Sequence, residues 1–331
     1  GYTDGLIKWC PIADSEENFD TQTLGAFEIF GRLAVKDKDT LVITSVVDGS
    51  DSLTGGKVRV LTRTDTQVWE VANTWDCDNT CWVMEFNRDG TLLATAEQTG
   101  KIRIWQTSEA SPSDWIELES PHSHGNYTGV VEWSPRSNLL LSVGWDKRVV
   151  LFDIDGGSEV WSRSISFEGF SAGFSLEEPE VIIGSGMASD SSEGEILVYD
   201  ANNGSLIDSW STEGIPRGVA ITGIALNKRY IAANSTGEWT VWMQDTDGDG
   251  QPDSVDLWPE DPSQWADSDG DGYGDNENGS DGDLCPTISG RSIHDRLGCL
   301  DSDSDGWSDA DQDWPPHPIG IADAFDEDPS Q

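Results

Sequence analysis

The sequence predicts an all-β chain in two unlike parts: a ring of repeated sheets over residues 1–243, then an irregular acidic repeat array over residues 244–331. Three observations lead there. A short apolar run ending in a large side chain recurs about every 45 residues, the period at which four strands and their turns make one sheet of a propeller. Residues 245–331 carry 25 acidic side chains against two arginines, whereas the first 244 residues carry 37 against 17 basic ones. Within the acidic stretch the pattern Asp-x-Asp-x-Asp-Gly-x-x-Asp is written three times, with its glycine in the same slot each time.

The recurring run occupies residues 6–9, 58–61, 102–105, 149–152, 196–199 and 240–242. It ends on Trp9, Leu61, Trp105, Phe152, Tyr199 and Trp242, at spacings of 52, 44, 47, 47 and 43. Each of the last five copies follows another apolar run, at 41–47, 92–96, 139–143, 181–184 and 230–233, and before that a third is visible at 82–86 and 130–133. Turn residues separate the runs, so each period reads as one four-stranded sheet. The prediction is a β-propeller with five visible blades plus one strand, the chain opening on the third strand of a blade. A propeller closes to avoid leaving a bare edge, so either five blades close through an unusual overlap or, the favoured expectation, further blades lie upstream. The leader running from Asp256 to Trp265 is echoed from Asp323 to Gln331, which predicts another aromatic and another acidic loop downstream.

The third period resembles the WD-repeat family. His124, the strand Val131 to Pro135 with its Ser134-Pro135, the run 140–142, Trp145 with Asp146, and the run 149–153 fall where that family has its His, its Ser-Pro strand, its turn Asp and its terminal Trp-Asp. The resemblance implies a structural hydrogen-bond network of His124, Ser142 and Asp146, in which Phe152 replaces the tryptophan and cannot donate. The other periods match loosely: Trp105 lacks the following Asp, and Tyr199-Asp200 lacks the His. The stretch from Asp153 to Trp161 is similar to the tryptophan-docking repeat of quinoprotein propellers, which implies a packing device and no quinone. The expected propeller is thus a divergent WD-like or quinoprotein-like one.

Carboxylates at alternate positions, followed by a glycine that allows a sharp turn, wrap a hard cation in oxygen. In the first loop Asp245, Asp247, Asp249, Gln251 (through its carbonyl), Asp253 and Asp256 take positions 1, 3, 5, 7, 9 and 12. In the second, Asp267, Asp269, Asp271, Tyr273, Asp275 and Asn278 do so. In the third, Asp301, Asp303, Asp305, Trp307 and Asp309 are followed by Gln312 at position 12, between Asp311 and Asp313, so Asp313 is the candidate closing ligand. No amphipathic helix flanks these loops, so they are not EF-hands.

Residues 245–331 resemble thrombospondin type 3 repeats, on the three acidic runs, on Asp283, Cys285 and Pro286, and on the stretch from Asp295 through Cys299 to Asp301. The resemblance implies a chain with little regular structure wound around several Ca2+ ions at the Asp sets named, with Asp281 and Asp283 as added ligands and a Cys285–Cys299 bridge as a staple. Without the ions the carboxylates repel one another, so the metal stands in for a hydrophobic core. Extracellular calcium modules bind at about 10⁻⁴–10⁻³ M, which would leave these loops filled outside the cell.

A net charge of −43 excludes nucleic acid and anionic membranes as electrostatic partners. Of five cysteines, Cys77 and Cys81 form one close pair, Cys285 and Cys299 another, and Cys10 is left over. No cluster has zinc-site spacing. The pairs point to an oxidising compartment, reduced thiols in a cytosolic protein being the alternative; a bridge over about 15 residues is worth roughly 3 kcal/mol. The sequence shows no signal peptide, transmembrane run or lipidation motif. His122 with His124 is read as a loop holding one structural histidine rather than as a metal pair. Four N-glycosylation sequons, at Asn126, Asn203, Asn234 and Asn278, fit a surface protein. No catalytic triad, phosphate loop or metalloprotease motif is found. The expectation is a secreted or cell-surface, calcium-binding protein that is not an enzyme, its propeller a platform for a protein or glycan. The competing expectation is a secreted propeller enzyme, a quinoprotein-type dehydrogenase or hydrolase, with a calcium-binding appendage.

Overall fold

The computed structural model describes residues 6–9, 20–23, 30–45, 56–64, 68–109, 111–223, 228–311, 313–315, 322–323 and 326–328. Cys10, Gln312 and most of the second leader lie outside them. The chain divides into two compact units, Gly1–Thr222 with Tyr230–Val241, and Gly223–Arg229 with Trp242–Gln331.

The first unit is a series of antiparallel sheets taken in chain order. A hairpin pairs β1 (Leu6–Trp9) with β2 (Asp20–Thr23). Four four-stranded sheets follow: β3 (Phe30–Asp37), β4 (Thr40–Ser45), β5 (Lys57–Arg63) and β6 (Trp69–Asp76); β7 (Cys81–Phe86), β8 (Leu92–Glu97), β9 (Ile102–Gln106) and β10 (Ile116–Glu117); β11 (Thr128–Trp133), β12 (Leu139–Gly144), β13 (Arg148–Asp153) and β14 (Ser158–Ser164); β15 (Glu168–Phe174), β16 (Glu180–Gly186), β17 (Glu193–Asp200) and β18 (Leu206–Glu213). A three-stranded sheet of β19 (Pro216–Thr222), β20 (Arg229–Asn234) and β21 (Trp239–Met243) comes next. Among the described residues the fifth blade therefore has three strands, not the four expected. The position of a fourth strand falls in the first acidic loop, where alternating Asp and Gly favour turns over a ladder.

The first strands of successive sheets neighbour one another, β3 with β7, β7 with β11, β11 with β15 and β15 with β19, as blades do around an axis. The three middle sheets are thereby pressed between their neighbours, and their second strands β8, β12 and β16 are buried along nearly their whole length. This is why residues 181–184, and 139–143 apart from Ser142, read as apolar runs with no alternation. Ala94, Ala96, Ile102 and Ile104 of one sheet meet Val131, Trp133 and Leu140 of the next. Leu141, Val143, Val149 and Leu151 on the far side of that second sheet meet Val181, Ile183, Leu197 and Tyr199. The outermost strands face water, and β14 buries only Trp161.

Polar ties repeat across the blade junctions. Arg88, just after β7, donates to the Pro135 carbonyl at 3.1 Å, and Arg136, just after β11, donates to the Leu176 carbonyl. The indole N–H of Trp133 reaches the Glu85 carbonyl at 3.0 Å, and that of Trp161 the Ala201 carbonyl at 2.8 Å. The ladder register slips at matching places, between Cys81 and Val83, Thr128 and Val130, and Gly169 and Ser171. These bulges bend the start of each inner strand in the same way.

The second unit is built differently. Its described buried side chains are mostly polar: Asp253, Asp256, Gln264, Asp283, Ser292, Ser308 and Asp323, with Cys299 and Ala322. Gln264 is fully buried and satisfied. Its amide donates to the carbonyls of Asn276 (2.9 Å) and Ser280 (3.0 Å), and its Oε1 accepts the Asn276 N–H. Cys77 is disulfide-bonded to Cys81 in the first unit, and Cys285 to Cys299 in the second. No helix among the described residues is long and apolar enough to cross a membrane.

Candidate functional site

The three acidic loops share one hydrogen-bond plan. The position-1 carboxylates of Asp245, Asp267 and Asp301 each accept two backbone N–H groups, from position 4 and from position 6, at 2.7–3.1 Å. The position-5 carboxylates of Asp249, Asp271 and Asp305 accept the N–H of Gln251, Tyr273 and Trp307. Gly250, Gly272 and Gly306 hold φ of 98°, 100° and 96°, a left-handed conformation that explains the invariant slot. The result brings Asp245, Asp247 and Asp249 together, and likewise Asp267, Asp269 and Asp271, and Asp301, Asp303 and Asp305, each set with ligand oxygens within 4.8 Å of one another.

Several of these oxygens are buried and have no hydrogen-bond partner among the described residues: Oδ2 of Asp247, Asp249 and Asp303, and both oxygens of Asp269. Two more come from outside these five-residue cores. Asp256 uses Oδ1 for the Trp258 N–H and leaves Oδ2 buried and unpartnered; Asp283 uses Oδ1 for the Cys285 N–H and does the same. Loss of solvation, and then the neighbouring carboxylates, raise the pKa values of Asp247, Asp269, Asp283 and Asp303. The neighbours that act identify the sets: Asp256 acts on Asp247, Asp271 and Asp269 on Asp283, and Asp323 on Asp303. Buried carboxylate oxygens that converge and lack donors are the arrangement a hard divalent cation fits.

Some of the expected ligands stand elsewhere. Asp253, Asp275 and Asp309 at position 9 turn both oxygens back onto position 2. They accept the N–H and hydroxyl of Thr246, Ser268 and Ser302 at 2.5–2.8 Å. Their role here is to tie the loop shut. Asn278 and Asp313 are exposed and lie outside the carboxylate sets. Buried Asp283 approaches the second set instead of Asn278, and buried Asp323 the third instead of Asp313. The closing carboxylate thus lies 11, 16 or 22 residues beyond position 1. Gln251, Tyr273 and Trp307 contribute the N–H groups just described.

The first unit holds two further polar features. His124 Nδ1 lies 2.8 Å from Asp146 Oδ1, and His124 Nε2 lies 2.9 Å from Ser142 Oγ, the network expected from the sequence. Burial lowers the pKa of His124 and pushes that of His122 down to about 4, so both rings are neutral at pH 7. His124 then donates from Nδ1 to Asp146 and accepts the Ser142 hydroxyl at Nε2. Ser142 Oγ in turn accepts the His122 Nε2–H, at 2.7 Å. In the preceding sheet that donor is an indole: Trp105 Nε1 bonds Thr95 Oγ1 at 3.2 Å. His122, packed on the Phe152 ring, supplies the donor that Phe152 lacks. The sequence reading missed this role, because the spacing of two histidines in a loop does not say which ring turns inward.

A cavity of about 610 Å³ runs along the inner strands β3, β7, β11, β15 and β19. Glu85 and Glu132 line it, with Lys36, Arg88 and Arg217. Glu85 accepts the Trp133 N–H at 3.0 Å. Burial raises the carboxyl of Glu85 to about 7; burial together with the Glu85 charge raises that of Glu132 to about 8.

Residues 57–106 and 117–153 match the model of the WD domain, G-beta repeat. Over 76 residues, 20% of this chain, the sequence is 36% identical to a DNA damage-binding protein CMR1 of Candida albicans, spanning 12% of that protein. Over 143 residues, 42% of the chain, it is 28% identical to a WD repeat-containing protein WDS homolog of Arabidopsis thaliana, spanning 26% of that protein. The match to each curated relative therefore spans about a quarter of its length or less. A chain in the crystal structure of a mitotic checkpoint complex superposes with a TM-score of 0.57 at 15% identity, over 72% of this chain and 68% of that one. The chain carries WD repeats in a β-propeller-like fold.

Proposed function

We propose that this protein is a calcium-binding interaction protein: a WD-repeat propeller that offers a platform to a protein partner, joined to an acidic array that Ca2+ folds. The observation that carries the reading is the set of buried, unpartnered carboxylate oxygens that converge in three loops of one design. Calcium suits them because it accepts six to eight oxygen ligands in flexible geometry, whereas Mg2+ gives up its waters reluctantly. Asp245, Asp247, Asp249 and Asp256 would hold one ion, Asp267, Asp269, Asp271 and Asp283 a second, and Asp301, Asp303, Asp305 and Asp323 a third. The likeness of residues 245–331 to thrombospondin type 3 repeats supports this reading, as do the disulfides, which fit an extracellular or cell-surface setting. The partner on the propeller is proposed to be a protein, since that is the use to which WD repeats lend themselves. The DNA in one relative's name is not carried over, because a chain of net charge −43 repels phosphate.

Calorimetric titration of the whole chain with CaCl2 tests the calcium reading. Three sites of about 10⁻⁴–10⁻³ M or tighter are expected, with a circular dichroism change that EDTA reverses. Flat heats at millimolar calcium would discard it, and the extracellular assignment would lose its main support.

A further inference from the structure

The second acidic loop stands apart from the first in what holds its closing carboxylate. Asp283 is fully buried; its Oδ1 accepts the Cys285 N–H at 2.7 Å and its Oδ2 has no partner. Cys285 is disulfide-bonded to Cys299. On the other arm of the bridge, Gly298 sits with φ 75° against the Asp283 carboxylate, and any side chain there would collide with it. The two arms are also laced by Leu284 N–H to the Leu297 carbonyl at 3.0 Å. From inside the disulfide-closed segment, Gly290 N–H reaches Asp271 Oδ2, a member of the same cation set, at 3.0 Å. The Asp283 backbone N–H is held by the Gly274 carbonyl at 2.8 Å, but the groups that fix its carboxylate belong to the segment the bridge closes. Asp256, its counterpart in the first loop, is fixed by the Trp258 N–H at 2.8 Å, with no cysteine nearby in the chain.

We propose that the Cys285–Cys299 disulfide, together with Gly298, is the positioning element of the second cation site: it delivers Asp283 as closing ligand and puts the calcium affinity of that site, and not of the first, under thiol control. This rests on the reading of the loops as calcium sites. A ligand presented on a short closed segment has a high effective concentration at the ion; on an open segment the same carboxylate roams and the advantage is lost. Opening the bridge takes two electrons and two protons from an external dithiol, which is itself oxidised to a disulfide. Gly298 acts through shape alone, since only a residue without Cβ lets the second arm close over the carboxylate.

The test is calcium calorimetry on the whole chain, with CaCl2 as the probe, for wild type, C285S/C299S, Gly298→Ala, Asp283→Asn and Asp256→Asn, with dithiothreitol-reduced wild type alongside. The serine pair, the reduced wild type and Gly298→Ala are each expected to weaken one site by about tenfold or more, in the range seen for supports of metal ligands, and to leave the first site unchanged. Added to Asp283→Asn, the serine pair is expected to cause no further loss, because both act on one ligand. Added to Asp256→Asn, it is expected to weaken a second, separate site. A merely structural staple would add its effect to both backgrounds alike, which would overturn the proposal. So would equal affinities in wild type and the serine pair. A wild-type chain that takes up no calcium overturns it together with the reading beneath it, so the two failures are told apart by the wild-type titration.

Discussion

The two units of this chain solve the same problem by opposite means. The propeller unit sets sheets against one another and fills the seams with Leu, Val and Ile: Leu141, Leu151 and Ile183 have no exposed surface at all. The acidic unit has almost no such seam. It leaves Val255, Leu257, Ile288 and Ile293 more than half exposed and buries Asp283 and Gln264 instead. Apolar burial needs no ligand and lasts wherever there is water. Carboxylate burial is unfavourable until a cation arrives, so on the proposed calcium reading the stability of the second unit would be set by the medium. The lesson is that similarly sparse helical content hides two different dependences on conditions.

The comparison is most sharply tested by chelation. With EDTA, amide exchange in residues 245–311 is expected to lose its protection, while β11–β18 keep theirs; equal loss or equal persistence in both units would break the contrast. A core truncation comes next. Leu151→Ala is expected to cost about 2–5 kcal/mol in denaturant unfolding of the propeller, whereas Leu257→Ala in the acidic unit, at a residue 60% exposed, is expected to change its calcium-loaded stability by less than about 0.5 kcal/mol.

Acid provides a third test, confined to the propeller. His122 and His124 have folded pKa values below the ordinary imidazole range, so the unfolded chain takes up their protons first as pH falls. Their contribution is complete above about pH 6.5 and is lost as pH drops toward 4. His122→Phe is expected to flatten this slope in a pH series of thermal melts and to leave Ser142 short of a donor. The smallest effect runs the other way. Glu85 and Glu132 are raised, so the folded unit holds protons that the unfolded chain gives up between its ordinary carboxylate range and about pH 8. Stability from this pair is present at low pH and lost as pH rises through 7 to 8. Glu132→Gln is expected to raise propeller stability at pH 8 by on the order of 1 kcal/mol and to change little at pH 4.5.

What could be read in the sequence follows the same divide. The strands of the propeller were legible because each carries its own apolar run, and the runs at 58–61, 102–105, 149–152 and 196–199 all lie within strands that are third in their sheets. The cores of the acidic loops were legible because their ligand positions are two residues apart, so spacing and geometry coincide. The closing carboxylates were legible in part: Asp256 stands at position 12 as expected and Asp283 was named through the thrombospondin type 3 resemblance, whereas Asp323 arrives by a longer path through irregular chain that loop spacing does not reach. His122 escaped for a related reason, since it lies in a loop and its partner Ser142 lies 20 residues away on β12.

One feature of the propeller has a consequence for its biosynthesis. Strands β8 and β16 are buried from end to end, and β12 all but Leu139, because a neighbouring sheet covers each face. As the chain leaves the ribosome, every sheet emerges before the neighbour that will cover its second face. Each therefore passes through a state in which a face lined with Leu141, Val143 or their equivalents, later covered by the next sheet, is bare to the crowded cell. Sheets in such a row acquire stability from the ones beside them, and bare apolar strands in a half-made row are the species that aggregate. Yield on expression should thus depend on how quickly the following blade is delivered, so that slowing translation between residues 186 and 215 would cost soluble protein while leaving the finished fold unchanged.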